Sequence, residues 1–273
     1  MFQDLRFETL ICDVPRPRVA RIVMNRPQAM NAYTFAMCGE LQAAIVGFRD
    51  DDELLALILT GAGTRAFCTG GDIGGSDQAH REAVAAAPMG RGREMRDGMQ
   101  AVVLALAGLD KPSVAMIRGY AVAGGLALAL ACDFRLAAQS ARVGDTSNKV
   151  GLLPDEGGAW LFPRAMGLDR ALKMTLLHEI YDAATAMDLG LVTEVVPDAD
   201  LEARTFAFCD ALAAKAPLAV RLTKMIMARA QDITLRQSMT DAQLAVHIAN
   251  PSEDVREGVA AFREKRAPKF SGR

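Results

Sequence analysis

"KPSVAMIRGYAVAGGLALALACDFRLAA", residues 111–138, decides how the chain folds. "SVAMIRGYAV" (113–122) reads as a strand. The pair Gly124–Gly125 follows, then an apolar helix, "LALALA" (126–131), and at once a second strand, "CDFRLAA" (132–138). A strand returning through a helix to another strand is the right-handed unit of α/β architecture. Upstream, "RFETLICDV" (6–14) and "RVARIVMN" (18–25) read as two strands joined by the proline-rich turn "PRPR". "TFAMCGELQAAIVGFRDD" (34–51) carries apolar residues at helical spacing. "LLALILT" (54–60) is short and almost wholly apolar, as a strand buried on both faces must be. "MQAVVLALAGL" (99–109) is a further helix, leading through "DKP" into the opening stretch.

Beyond about residue 165 the strand signals fade. "LDRALKMTLLHEI" (168–180), "DAATAMDLG" (182–190), "LEARTFAFCDALAAKA" (201–216), "PLAVRLTKMIMARA" (217–230), "ITLRQSMTDAQLAVHIA" (233–249) and "SEDVREGVAAFREKR" (252–266) all read as helices, with Ser252 as an N-cap. The expected division is an α/β core over 1–197 and a helical, oligomerising region over 198–273. Residues 74–98, rich in Gly, Ala and Arg, break the periodicity and read as a loop or short helix over a site.

Bulk properties narrow the function classes. Of the 273 residues, 51% are hydrophobic and 23% charged, and the net charge of −2 gives no polyanion-binding balance. The five cysteines and three histidines form no C-x-x-C pair and no H-E-x-x-H pattern, so no metal site is expected. The N-terminus "MFQDLRFETLICDV" lacks a signal-peptide pattern. The longest apolar run, 121–132, is 12 residues and interrupted by glycines, where a membrane span needs about 20. A cytoplasmic protein that binds neither nucleic acid nor membrane is expected.

"GAGTRA" (61–66) mimics a dinucleotide-binding fingerprint, but "FCTGGDIGG" follows it where a helix should. Two glycine-rich turns carry more chemistry. "AFCTGGDI" (66–73) follows the strand ending at Thr60, and "GYAVAGGLALALACD" (119–133) turns into a helix at its glycine pair. Glycine lets a ligand approach backbone N–H groups, and a helix N-terminus favours negative charge. Two such donors facing one another hold a carbonyl that becomes an enolate. Singly, each turn is equally what close helix packing requires.

In order and spacing, the landmarks "VARIVMNRPQAMNA", "ILTGAGTRAFCTGGDI", the opening stretch, "VGLLPDEGGAWLFPRAMG", "AMDLGLVTEVV" and "AFREKRAPKF" resemble the crotonase (enoyl-CoA hydratase/isomerase) superfamily over essentially the whole length. The resemblance implies a spiral of ββα units with a C-terminal helical region, assembled as trimers or paired trimers. It implies an acyl-CoA thioester as substrate and no cofactor beyond the coenzyme A that the substrate carries. Carried over, the oxyanion donors are the N–H groups of Gly71 and Gly124. Asp72 and Ile73 fall where relatives contact coenzyme A, as do Phe262 and Lys265, often supplied by a neighbouring chain. Five basic residues against one acid between Arg263 and Arg273 suit phosphates too.

One departure governs the chemistry. The family's hydratases use two glutamates, and those positions here are Ala127 and Ser147. Alanine moves no proton, and an unactivated serine moves one poorly. "LLPDEGG" (152–158) is the remaining source of a carboxylate. In related isomerases and dehalogenases the acid at the position of Asp155 points at the substrate. Asp155 is therefore the first candidate base, Glu156 the second and Asp145 the third. Only one of the adjacent pair is expected in the pocket, its pKa raised toward neutrality by apolar neighbours. As a bland alternative, "PDEGG" simply starts a helix, with acids in the first turn. The leading expectation is enoyl-CoA isomerisation by one carboxylate. The alternatives are hydration by a non-standard acid pair, or an inactive acyl-CoA-binding homologue.

Overall fold

A computed structural model of the chain describes residues 1–74 and 78–273. β1 (Leu10–Arg16) and β2 (Val19–Met24) form an antiparallel hairpin at the edge of the larger sheet. β3 (Ala56–Gly61), β5 (Ser113–Ile117), β7 (Phe134–Ala138) and β10 (Glu194–Val196) join it in parallel, giving the order β1-β2-β3-β5-β7-β10. The smaller sheet runs β4-β6-β8-β9, from β4 (Ala66–Cys68), β6 (Tyr120–Val122), β8 (Arg142–Gly144) and β9 (Ile180–Asp182). Three successive strand pairs each place one strand in the larger sheet and the next in the smaller. A helical segment separates each pair from the following one. This is the spiral of ββα units.

Two expectations are corrected here. "SVAMIRGYAV" is two strands, because Gly119 (φ 66°) turns the chain from one sheet to the other and leaves no room for a Cβ against the Arg65 carbonyl. Strands also persist beyond residue 165: β9 and β10 have three residues each, too few to show a period-2 pattern. The segment expected as a loop or short helix over 74–98 holds the short helices α2 (Gln78–Ala86) and α3 (Gly90–Met95), with 75–77 outside the described residues. A π-helical turn (Arg96–Gln100) then leads into α4 (Ala101–Ala107).

Burial explains the apolar strand at 54–60. Leu57 and Leu59 face one core, shared with α1 (Phe35–Arg49), α4 and α5 (Gly124–Ala131), while Ala56 and Ile58 face a second. That second core is closed by Leu201, Cys209 and Ala213 of α9 (Leu201–Ala213). Every residue of α5 is buried, hence its uninterrupted apolar sequence. The remaining helices are α6 (Gly158–Met166), α7 (Leu168–Leu177), α8 (Ala183–Asp188), α10 (Pro217–Ala230), α11 (Leu235–Ala249) and α12 (Glu253–Glu264). Ser252 caps α12, its side chain accepting from the Val255 N–H. Among the described residues, no helix is long and apolar enough to cross a membrane.

Among the described residues, Lys111 is the largest fully buried charged side chain. Only 1% exposed, its Nζ donates to the carbonyls of Phe48 (3.1 Å) and Asp51 (2.8 Å) and lies 5.1 Å from the centre of the Phe48 ring. It thereby gives a further hydrogen bond to two carbonyls at the end of α1 that also accept from the Asp51 and Leu54 N–H groups. Lys111→Ala loses these bonds and opens a cavity, so unfolding in urea should show a loss of about 2–4 kcal/mol. A loss under about 1 kcal/mol would mean that water replaces the ammonium.

Candidate active site

The site begins with Asn31, which is fully buried and left-handed (φ 54°). Its Nδ2 donates to the carbonyls of Ala62 (3.0 Å) and Ala66 (2.8 Å), and its Oδ1 accepts from the Arg26 N–H. This clamps the "GAGTRA" loop and aims β4 toward the first glycine turn. Tyr33, two residues on, forms an isolated parallel bridge with Gly71. The Tyr33 N–H donates to Gly70 O and the Asp72 N–H donates to Tyr33 O, each at 2.9 Å. In such a bridge the N–H of the central residue, Gly71, points away from the partner strand.

The second turn packs directly on the first. A Cβ on Gly70 would lie 3.1 Å from the Ala123 Cβ and 3.3 Å from the Gly124 nitrogen, and one on Gly125 would overlap the Cys68 carbonyl. Gly124 opens α5, so its N–H has no intrahelical acceptor. Ala123 before it adopts φ 51°, ψ −129°, a conformation costly for a residue with a Cβ. Gly71 and Gly124 thus belong to adjoining turns, packed closely at Gly70, Ala123 and Gly125.

These turns edge a cavity of about 630 Å³. Asp155 and Glu156 both contribute to its wall, so the expectation of a single acid is corrected, but their surroundings differ sharply. The acids precede α6, which begins at Gly158, so they lie in the turn ahead of the helix and not in its first turn. Asp155 is exposed, with its backbone carbonyl held by Gln100 Nε2 at 2.8 Å. Glu156 is 7% exposed. Its Oε1 accepts the Tyr33 hydroxyl hydrogen at 2.5 Å, and its buried Oε2 has no hydrogen-bond partner among the described residues. Burial lifts the Glu156 pKa to about 7 against the lowering effect of the Tyr33 hydrogen bond, and the charges of Asp155 and Asp145 add to the rise. A Cβ on Gly124 would stand 2.5 Å from Glu156 Oε1 and 2.7 Å from the Tyr33 oxygen. Of the two neighbouring acids, the second candidate is the one set against the glycine turn.

Asp145 is fully buried, its Oδ1 accepting from the Ser147 N–H (3.0 Å) and Oγ (2.7 Å). Its Oδ2 is unpartnered among the described residues, and Thr146 and Ser147 reach the cavity where Asp145 does not. Asp72 and Ile73 line the cavity, Ile73 at its exposed edge. Asp72 pairs with Arg26 at 2.8 Å, and its Oδ1 accepts from the Gly74 N–H. Phe262 (86% exposed) and Lys265 do not line the cavity. Residues missed in the sequence complete the wall. His80 stacks on Phe35 with ring centroids 5.0 Å apart and shares a hydrogen with Glu94 at 2.9 Å. Cys38 lies near Glu94 and Glu156, its thiol pushed up to about 12 by burial, then by Cys68, Glu94 and Glu156. No motif marks Tyr33, which stands 123 positions from the glutamate it touches.

Residues 16–273 match the profile of the enoyl-CoA hydratase/isomerase family. Over 254 residues the chain is 36% identical to (E)-benzylidenesuccinyl-CoA hydratase of Thauera aromatica, covering 93% of this chain and 96% of that protein. It is 34% identical to the mouse mitochondrial enoyl-CoA hydratase domain-containing protein 2, covering 95% and 86%. The crystal structure of an enoyl-CoA hydratase from Bacillus anthracis superposes with a TM-score of 0.89 at 31% identity, covering 97% of this chain and all of that one. With the ββα spiral, the paired glycine turns and a match along nearly its full length, this chain belongs to the enoyl-CoA hydratase/isomerase family.

Proposed function

We propose that the protein isomerises an enoyl-CoA thioester with Glu156 as its single proton carrier. The N–H groups of Gly71 and Gly124 hold the thioester oxygen. Ionised Glu156 takes a proton from C2 of a 3-enoyl group, the negative charge passes to that oxygen, and the proton returns to C4. One base suffices, because the proton taken is the proton given back. The observation that carries this reading is the burial of Glu156 against Gly124, with a pKa of about 7. A carboxyl near neutrality is a stronger base than an exposed one and is still about half ionised near pH 7. Asp155, exposed to solvent, lacks that environment. Phe262 and Lys265 would reach coenzyme A across the interface of a homo-oligomer, a trimer or a pair of trimers.

Hydration is the second reading, favoured by the name of the Thauera relative. Incubating the protein with 2-enoyl-CoA and 3-enoyl-CoA and identifying the products separates the two. Interconversion of the double-bond isomers supports isomerisation, whereas a 3-hydroxyacyl product sinks it. The pH profile tests the base. Glu156 acts ionised, so kcat/KM should fall about tenfold per unit as pH drops below about 7. A limb near the ordinary carboxyl value would point to an exposed acid instead.

A further inference from the structure

Tyr33 takes no step in the proposed proton transfer, yet its hydroxyl lies close to both glycines and to Glu156. It lies 2.7 Å from where a Gly124 Cβ would stand and 3.6 Å from where a Gly71 Cβ would stand. The bridge to Gly71 fixes its backbone, and its ring, 9% exposed, forms part of the cavity wall. Its one hydroxyl hydrogen goes to Glu156 Oε1 at 2.5 Å.

We infer that the Tyr33 hydroxyl is a third catalytic donor, holding Glu156 while that carboxylate is charged and turning to the thioester oxygen once Glu156 has taken the substrate's proton. The inference rests on Glu156 being the base. A phenol carries one hydrogen and can swing it about the C–O bond, so it serves whichever neighbouring oxygen bears the charge. Before proton transfer that oxygen is Glu156 Oε1. Afterwards Glu156 is neutral and the charge sits on the enolate oxygen held by the two glycine N–H groups, and the Tyr33 hydroxyl lies close to both glycines. The O–H bond never breaks: the proton moves from C2 to Glu156 and on to C4, and the Tyr33 hydrogen only changes acceptor. Burial, reinforced by the charge of Glu156, holds the phenol well above its ordinary pKa and keeps it a donor throughout.

Tyr33→Phe tests this, because it removes one oxygen and keeps the ring. Removing an oxyanion donor costs roughly 10²–10³-fold in kcat, with KM changed far less. The acid limb of the pH profile should also move upward, since the bond that favours ionised Glu156 is gone. The other groups acting on Glu156 stay in place: Asp155 beside it, Asp145 after β8, Cys68 of β4 and Cys38 of α1. So do the other ionisable groups of the cavity wall, Asp72, His80, Arg91, Glu94 and Lys149. A tyrosine that only fills space would leave both kcat and the limb unmoved, and that result overturns the inference. Should Tyr33→Phe fold poorly, 3,5-difluorotyrosine at position 33 keeps the shape and strengthens the donor. The limb should then shift downward, and an unmoved limb overturns the inference equally. Glu156→Gln is assayed in parallel. If it stays active, the base assignment fails and this inference falls with it. If it is inactive while Tyr33→Phe matches the wild type, the base assignment stands and only the role of Tyr33 is lost.

Discussion

Glu156→Gln is expected to lower kcat by roughly 10²–10⁴-fold, the usual worth of a positioned acid–base group. Glutamine is nearly isosteric and still accepts the Tyr33 hydrogen, so the cavity keeps its shape. Asp155→Asn should lose less than about tenfold, because that carboxylate is exposed. The same Gln variant should be more stable at alkaline pH. Folding raises the Glu156 pKa from the ordinary 4.5 to about 7, so the folded chain binds more protons than the unfolded one between those values. Stability therefore falls as pH rises through that window. By pH 8 the ionised carboxylate costs on the order of 3 kcal/mol at 1.36 kcal/mol per unit. Urea denaturation should show the two proteins equal near pH 4.5 and the Gln variant ahead at pH 8. Full turnover in that variant, or identical stability profiles, would remove Glu156 from the centre of the mechanism.

Gly124→Ala should do comparable damage to turnover by a different route. Its methyl would stand 2.5 Å from Glu156 Oε1, 2.9 Å from its Cδ and 2.7 Å from the Tyr33 oxygen. The backbone conformation suits alanine, since Gly124 is the first residue of α5 and has no positive φ. The clash is therefore with the two functional side chains, and they must give way. A misplacement of about 1 Å can cost 10²-fold in rate, and overpacking adds about 1–3 kcal/mol of destabilisation. Kinetics on the folded variant, with a melting curve as control, decides it. A variant that turns over like the wild type would mean that Glu156 does not work from this position.

The fold was legible because its signals are local and repeated. The apolar strand at 54–60, the glycine pair before an all-apolar helix and the helical periods after residue 200 each follow from burial on particular faces. Short strands such as β9 and β10 escaped, since three residues have no measurable period and form only on an existing sheet edge. The site was legible in its glycines and in the turn that supplies its acid. Which acid turns inward depends on Tyr33, Gly124 and the Gln100 bond to the Asp155 carbonyl. All three are contacts between distant segments, and sequence spacing does not carry them. The wall of Phe35, His80 and Glu94 was hidden for the same reason.

Cys38 adds a different lesson. Enoyl thioesters are soft electrophiles, and a thiolate at the edge of a cavity that accepts one would be alkylated by it. Burial pushes the Cys38 thiol up to about 12, so little of it is thiolate at pH 7. The burial that raises the Glu156 carboxyl in this wall also raises the neighbouring thiol. On the proposed reaction, the apolar lining would shield the protein from its own substrate.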